Sequence, residues 1–219
     1  LIIPRGGAGL IEAVVSMARM PVIKHYDGIC HTYVDSECDL EMACGVVMDA
    51  KTQKPSVCNA LETLLVSEEI ADSFLPVIGK LLSEKQVEIR ADEGSKRLLG
   101  VDSVAVKPDD WKTEYLDLII SIKIVSDVKE AIDHINHYGS HHSDCIITSS
   151  EANANLFMNN VDSATVFWNV STRFSDGEEF GFGAEIGIST DKLHARGPMA
   201  LRELTSYKYL ISGKGQTKT

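Results

Sequence analysis

Segments rich in aliphatic and β-branched residues alternate with amphipathic segments along most of this chain. The clearest strand-like segments are ETLLV, VEIRA, LIISIKIV, CIITS and ATVFWNV. Between them lie segments with helical spacing of apolar residues, among them EEIADSFLPVIGKLLSEK and EANANLFMNNV. Strands that alternate with helices are typical of α/β folds, so we predict an α/β fold.

Polar residues and glycines mark the ends of several predicted elements. Asp39 is placed to cap a helix that runs to Ala50, and Asp127 is placed to cap a helix that ends at Gly139. GICHTYV reads as a strand, and so do the tail segments GAEIGIST and SYKYLIS. We expect an irregular segment between Lys107 and Lys112.

The chain opens with a glycine-rich turn between a strand-like segment, LIIP, and a helical one, LIEAVVSMAR, which the strand-like MPVI follows. Backbone amides and the positive helix end at such a turn can bind a phosphate group. This makes Gly6, Gly7 and Gly9 candidate nucleotide-binding residues. The glycines do not match GxGxxG or a P-loop, however, and such turns also form for conformational reasons alone. Both interpretations stay open on the residues alone.

One cysteine lies in a polar turn directly before an apolar segment, in PSVCNALETLLV. A small substrate can reach a thiol placed there, and the thiolate form is favoured where cations lower the thiol pKa. Lys51 and Lys54 lie just upstream. We therefore predict that Cys58 is a nucleophile. A buried structural cysteine is the alternative that a single thiol leaves open.

The charge of the chain argues against a nucleic-acid partner. It has 21 basic and 32 acidic residues and a formal net charge of -11, whereas binding to a phosphate backbone needs clustered Lys and Arg. No apolar segment approaches the roughly 18 residues that span a bilayer, and the first residues lack a secretory pattern. We predict a cytoplasmic enzyme without a membrane partner, and a transit peptide upstream of Leu1 stays open.

The cysteines and histidines do not predict a metal site. The five cysteines include no CxxC pair, which predicts neither a disulfide framework nor a structural zinc site. His134, His137, His141 and His142 are close in sequence, but no acidic or thiol ligands accompany them at metal spacing. We predict that no metal binds.

Seven segments resemble those of the gamma-glutamyl phosphate reductases, which are members of the aldehyde dehydrogenase superfamily and carry the second step of proline biosynthesis. The segments follow the family's own order from end to end of the chain. They are LIIPRGGAGL, GICHTYVD, KTQKPSVCNALETLLV, AIDHINHYGSHHSDCI, NVSTRFSDG, GFGAEIGIST and KLHARGPMALREL.

The resemblance implies an aldehyde dehydrogenase-like fold, with this chain as the C-terminal half of a longer enzyme. Residues 1–35 would end a Rossmann-like nucleotide-binding domain, and residues 36–165 would form the catalytic domain. Residues 166–219 would return to the nucleotide-binding domain and add an oligomerisation strand. A chain of this extent alone would be inactive, because most of the nucleotide-binding sheet would be absent.

The resemblance also implies a chemistry and the residues that perform it. Cys58 would attack L-glutamyl 5-phosphate to give a thioester, which hydride from NADPH would reduce, with Asn59 beside the oxyanion. The glycine-rich turn would face the pyrophosphate of the cofactor, and Glu114 would hold the nicotinamide ribose. NVSTRFSDG would bind the glutamyl group, since Arg is the preferred partner of a carboxylate. Its predicted substrate-binding residues are Asn169, Ser171, Thr172, Arg173 and Ser175.

The segment upstream of Cys58 lacks a residue that hydrolytic relatives use. Aldehyde dehydrogenases that hydrolyse their acyl-enzyme have a glutamate there as the base for water, whereas PVIKHYDGICH offers His25, Tyr26 and Asp27. We predict that the thioester reacts with phosphate and not with water. That Asp27 is only a turn residue beside Gly28 is the open alternative.

The predicted function is NADPH-dependent reduction of L-glutamyl 5-phosphate to L-glutamate 5-semialdehyde. KTQKPS before the CNALETLLV segment favours the free-standing enzyme over the reductase half of a fused pyrroline-carboxylate synthase. A non-catalytic fragment or assembly module is the alternative from a different class. The implied partners are the glutamyl phosphate substrate, further copies of the chain in a homo-oligomer, and glutamate 5-kinase.

Overall fold

Seven parallel strands form the main sheet in a computed structural model that describes residues 1–24 and 26–218. In chain order the strands are β1 Cys30–Val34, β2 Leu61–Ser67, β3 Glu88–Ala91, β4 Val104–Ala105, β5 Ile119–Val125, β6 Ser143–Ile147 and β7 Thr165–Trp168. Their order across the sheet is β4-β3-β5-β2-β1-β6-β7, and every neighbouring pair is parallel. The predicted α/β fold is confirmed.

Helices connect these strands. They are α1 Ala8–Met17, α2 Leu40–Thr52, α3 Glu68–Glu84, α4 Glu93–Leu98, α5 Val128–Tyr138 and α6 Glu151–Asn160. Short 3-10 helices span Pro108–Lys112, Thr172–Phe174 and Arg202–Leu204. A separate antiparallel pair consists of β8 Gly187–Ser189 and β9 Gly197–Met199.

The predicted helix caps are confirmed. Asp39 accepts a hydrogen bond from the backbone N–H of Met42 at 2.7 Å, and α2 begins at the next residue. Asp127 accepts from the backbone N–H groups of residues 129 and 130, so it satisfies two of the donors that the first turn of α5 leaves free. Gly139 ends that helix.

The sheet has an apolar core on each face, as expected for parallel strands covered by helices on both sides. Because side chains alternate along a strand, Leu64 and Val66 of β2 pack in one core while Leu65 packs in the other. Helices α2 and α3 cover the first core, where Phe74 is fully buried, and α5 and α6 cover the second. Each fully buried side chain of this kind contributes roughly 1.5–3 kcal/mol.

Predicted strands at the two chain ends differ from the structure. LIIP and MPVI meet only through a single bridge between Ile2 and Val22. SYKYLIS is not a strand, and its Tyr207 and Ile211 are 83% and 90% exposed. A strand needs a paired neighbour for its backbone hydrogen bonds, and the described residues offer this segment none.

The predicted domain boundaries remain predictions. Strand β1 lies before the boundary at residue 35, and β7 begins at the boundary at residue 165, yet both pair within the same seven-stranded sheet. The loops that precede β1, β2 and β5 meet at one edge of the sheet, because the amino ends of parallel strands lie together. This edge carries Cys58.

Candidate active site

Cys58 lies in the turn that leads into β2, where the backbone of Gly28 packs against it from the amino end of β1. The thiol of Cys30 donates a hydrogen bond to the Cys58 carbonyl oxygen at 3.2 Å. The Glu114 carboxylate accepts a bond from the Gly28 backbone N–H at 2.9 Å. The structure thus brings Glu114 next to the turn that carries Cys58, although Glu114 and Cys58 are far apart in sequence.

The surroundings of the half-buried Cys58 thiol keep it protonated at rest. Burial, followed by the carboxylates of Glu185 and Glu114, raises the pKa of Cys58 to about 11, while Arg173 acts to lower it. The prediction that upstream lysines activate the thiol is therefore wrong. Lys51 is fully buried and pairs with Glu62 at 2.8 Å, so its charge is compensated there.

Asn59 binds the 172–175 segment beside Cys58. Its amide nitrogen donates to the Arg173 and Ser175 carbonyl oxygens at 3.4 and 3.0 Å, and its carbonyl oxygen accepts from the Arg173 guanidinium. The Thr172 hydroxyl donates to the Asn59 backbone carbonyl at 2.8 Å. A second bond from Arg173, to Gln53 at 2.9 Å, ties the segment to the end of α2. The side chain of Asn59 is thus engaged with this segment, and its predicted role at the oxyanion stays a prediction.

Asn169 and Ser171, two other predicted substrate-binding residues, border a groove beside α2. Asn169, at the end of β7, uses its side-chain amide to donate to and accept from the backbone of Thr148, each at 2.9 Å. Ser171 accepts from the Arg173 backbone N–H at 3.3 Å. Both border a groove of about 470 Å³ between α2 and the chain after β7. The groove is lined by Gly45, Val46, Asp49, Asn169, Val170, Ser171 and Phe174.

The glycine-rich turn borders a cavity of about 240 Å³ that contains two cationic residues, Arg5 and Lys24. Helix α1 begins directly after Gly7, with no side-chain cap and no acidic residue in its first turn. Added Cβ atoms at Gly7 and Gly9 would meet nothing within 4 Å, so the backbone there is approachable. The open backbone at Gly7 and Gly9 and the Arg5 side chain are suited to a phosphate group, whereas Lys24 already pairs with Asp191 at 2.9 Å.

His134, from the segment with four histidines, packs beside His31 of the sheet. His31 of β1 contacts Asp144 of β6 through its ring at 3.0 Å and through its backbone N–H at 2.7 Å, and the Ser163 hydroxyl donates to the other Asp144 oxygen. His134 packs edge-on against Trp111 and His31. Within residues 1–24 and 26–218, no group of three or more His, Cys, Asp or Glu residues is arranged to hold a metal ion.

Comparison with known proteins identifies the relatives of this chain. It is 57% identical over 219 residues to a gamma-glutamyl phosphate reductase of Clostridium botulinum and 55% identical over 218 residues to that of Clostridium beijerinckii. Each match covers 100% of this chain and 52% of the relative. The crystal structure of gamma-glutamyl phosphate reductase from Thermotoga maritima is 51% identical with a TM-score of 0.92, covering 99% of this chain and 52% of that one. The chain belongs to the gamma-glutamyl phosphate reductase family.

This chain spans about half the length of the curated reductases that it matches. No family model matches it. An acetylating aldehyde dehydrogenase from Geobacillus thermoglucosidasius shares its fold, with a TM-score of 0.61 at 17% identity over 85% of this chain and 48% of that one. A glyceraldehyde-3-phosphate dehydrogenase from Methanocaldococcus jannaschii, complexed with NADP, matches with a TM-score of 0.62 at 18% identity. The match covers 78% of this chain and 46% of that one. The predicted aldehyde dehydrogenase-like fold is confirmed.

Sequence reasoning missed Glu185 as a residue that affects the Cys58 thiol. Glu185 accepts a bond from the Gly177 backbone N–H at 3.0 Å. Its carboxylate acts to raise the pKa of Cys58, while burial raises the pKa of Glu185 itself and Arg5 acts to lower it. The available signal was its position as the only carboxylate within GFGAEIGIST, a segment that carried the family resemblance.

His25, one of the residues that occupy the place of a hydrolytic glutamate, lies outside the described residues; Tyr26 and Asp27 are both exposed. No helix in the described part of the chain is long and apolar enough to cross a membrane.

Proposed function

We propose that this chain, within a polypeptide of its relatives' full length, carries the nucleophile and the glutamyl-binding segment of a reductase. The reaction is NADPH-dependent reduction of L-glutamyl 5-phosphate to L-glutamate 5-semialdehyde and phosphate. The juxtaposition that supports it most is Cys58 next to Asn59, on which Arg173 is docked. A cysteine nucleophile and a cation for the substrate carboxylate thus lie on adjacent segments.

Cys58 forms the covalent intermediate of the proposed reaction. Its sulfur, once deprotonated, bonds to the acyl carbon of the substrate, and the bond from that carbon to the phosphate oxygen breaks. Burial, followed by the carboxylates of Glu185 and Glu114, raises the pKa of the resting thiol, so the thiol must first lose its proton to solvent before its sulfur attacks. The backbone N–H of Cys58 and the adjacent Asn59 would stabilise the oxyanion.

Arg173 would bind the α-carboxylate of the glutamyl group. A guanidinium has five N–H donors, and the bonds to Asn59 and Gln53 use two of them, so a carboxylate can accept from the others. Those two bonds also hold the guanidinium plane in place before substrate arrives. Thr172 and Ser175 support this placement through Asn59. Asn169 and Ser171, which line the groove beside α2, would contact the rest of the glutamyl group.

The residues around the first cavity fit a dinucleotide. Arg5 and the amides at Gly6, Gly7 and Gly9 would hold its pyrophosphate, and Glu114 would hold the nicotinamide ribose. When bound, NADPH supplies the hydride that reduces the thioester. Glu114 already accepts a bond from Gly28, so its carboxylate is fixed next to the nucleophile turn.

The assembly and location of the protein are further parts of the proposal. The exposed apolar side chains Tyr207, Tyr209, Leu210 and Ile211 support a homo-oligomer, in which this segment pairs with another copy. A cytoplasmic location and an association with glutamate 5-kinase follow from the family resemblance alone.

A comparison of aldehyde substrates tests the proposed function in the reverse direction. The full-length protein is assayed for NADP reduction with glutamate semialdehyde and phosphate, and in parallel with acetaldehyde and coenzyme A. We expect kcat/KM for the first pair to exceed that for the second by more than about a hundredfold, or roughly 2.7 kcal/mol. Coenzyme-A-dependent oxidation of acetaldehyde at the higher rate would assign the chain to acylating aldehyde dehydrogenases instead.

A further inference from the structure

We propose that the buried pair of Lys51 and Glu62 positions the loop that carries Glu114 at the Cys58 thiol. Glu62 would then be a positioning residue, acting through the backbone of Leu116, for the reaction proposed above. The inference rests on that proposed function only for its catalytic consequence. The contacts of Glu62, and their effect on the reactivity of the Cys58 thiol, do not depend on which substrate is bound.

Glu62 contacts two different elements from the start of β2. It is fully buried, and it follows Cys58 by four positions in the chain. One carboxylate oxygen accepts from the Lys51 ammonium of α2 at 2.8 Å, and the other accepts from the Leu116 backbone N–H at 3.3 Å. A buried carboxylate whose two oxygens bind two segments fixes those segments relative to each other.

Leu116 needs such a fixed partner. Its backbone has φ of 55°, in the left-handed region that a leucine side chain disfavours. Two residues earlier, Glu114 accepts from the Gly28 N–H at 2.9 Å, and Gly28 packs on Cys58. The bond from Leu116 to Glu62 therefore holds the loop in a strained conformation that sets Glu114 against the nucleophile turn.

The pKa of the Cys58 thiol depends on where Glu114 lies. The charged or titratable groups that act on Cys58 are Glu185 and Glu114, which raise its pKa, and Arg173, which lowers it. Cys30, on β1, is also coupled to it. A loop that swings Glu114 away removes one anion and admits water, and both changes favour the thiolate.

A purely structural role for the pair is the competing explanation. The loop has a second anchor in Tyr115, whose hydroxyl lies 2.7 Å from that of Ser121 and whose ring is stacked 4.8 Å from the Arg90 guanidinium. If Tyr115 alone holds the loop, Lys51 and Glu62 affect only the stability of the fold. Removing the ion pair would then leave the reactivity of the Cys58 thiol toward alkylation unchanged.

Two double variants separate these explanations. Lys51→Met with Glu62→Gln removes both charges but leaves an amide oxygen that can accept from Leu116. Lys51→Met with Glu62→Leu removes the charges and the acceptor together. For each purified protein, iodoacetamide alkylation of Cys58 is followed across pH by mass spectrometry of the Cys58 peptide, because four other thiols are present. The core variant Ile78→Val controls for general loss of stability.

We expect the Gln variant to be alkylated near pH 8 within about twofold of the wild-type rate and the Leu variant at least about fivefold faster. In the full-length reductase assay, the Leu variant should also raise KM for NADPH more than the Gln variant does. Equal alkylation profiles for the two double variants, when both melt cooperatively, would overturn the positioning role. Absence of reductase turnover with the expected alkylation difference would overturn the proposed function and leave the positioning role standing.

Discussion

Gly28 lies so close to Cys58 that an added Cβ atom would stand 2.0 Å from the Cys58 carbonyl oxygen and 2.6 Å from its Cα. No side chain fits at such a distance from a backbone, so position 28 accepts only glycine while Cys58 keeps its place. The same glycine donates its N–H to Glu114. Gly28 thus connects the Cys58 turn to the carboxylate that we propose holds the cofactor.

Replacing Gly28 by Ala should displace the Cys58 turn and lower kcat of the full-length reductase by about a hundredfold or more, because small misplacements of a reacting group cost that much. Gly94→Ala is the matched control. Gly94 lies within α4, where an added Cβ would stand 3.3 Å from the end of the flexible Ile124 side chain, so that variant should keep its fold and its activity. Full activity in a folded Gly28→Ala protein would show that the turn tolerates movement.

Removing phosphate from the reverse assay should nearly stop NADPH formation. The segment upstream of Cys58 has His25, Tyr26 and Asp27 where hydrolytic relatives have a glutamate. The nearby Glu114 and Glu185 accept bonds from the Gly28 and Gly177 backbone N–H groups, and we propose that neither acts as a base for water. The proposed thioester on Cys58 would then react only with phosphate. Initial rates are measured with and without phosphate in the same buffer, and arsenate serves as a control that replaces phosphate chemically. Steady turnover without either anion would contradict this partition.

Arg173→Ala should raise KM for glutamate semialdehyde by roughly ten- to a hundredfold, since a hydrogen bond to a charged group contributes about 1.5–3 kcal/mol. KM for NADP should change little. Arg173→Lys keeps the charge but loses the planar fork that bonds Asn59 and Gln53, so its KM should lie between those of wild type and the Ala variant. An unchanged KM in both variants would show that Arg173 only stabilises the fold, through its bonds to Asn59 and Gln53.

The fold should lose stability as the pH falls below about 6.5, in part through His134. Burial lowers the pKa of His134 to about 3, so the native state holds this ring neutral while the unfolded chain protonates it near its ordinary value of 6.5. The unfolded state therefore binds more protons between those values, and stability declines as the pH falls through that window. His134→Phe should show a smaller difference in urea midpoint between about pH 7.5 and pH 4.5. The exposed His137→Gln control should follow the wild-type curve, and a His134→Phe curve that also follows it would contradict the assignment.

Much of the fold could be predicted from the sequence because its signals are local. Asp39 and Asp127 cap their helices as predicted, and the β-branched segment at Ile119 forms the strand expected of it. SYKYLIS has the composition of a strand but no partner strand among the described residues. Pairing is a property of the assembled structure, which composition does not contain.

The site was less accessible to sequence reasoning because its charges are arranged by the fold. Lys51 lies seven positions before Cys58 in the chain, yet the helix turns it into the core toward Glu62. The Glu185 carboxylate, far along the chain, acts to raise the pKa of the thiol, whereas Lys51 pairs with Glu62 instead. Sequence distance therefore gave the wrong sign for the shift in the pKa of Cys58. The identity of the nucleophile itself stays a prediction.

Acylation of Cys58 is a direct test of its proposed role as the nucleophile. The full-length protein is mixed with glutamate semialdehyde and NADP without phosphate, quenched in acid, digested and analysed by mass spectrometry. We expect one γ-glutamyl group on the Cys58 peptide, removed by hydroxylamine, and turnover reduced by more than about a thousandfold in Cys58→Ser but not in Cys38→Ser. An unmodified Cys58 peptide, together with more than about a tenth of wild-type turnover in Cys58→Ser, would contradict it.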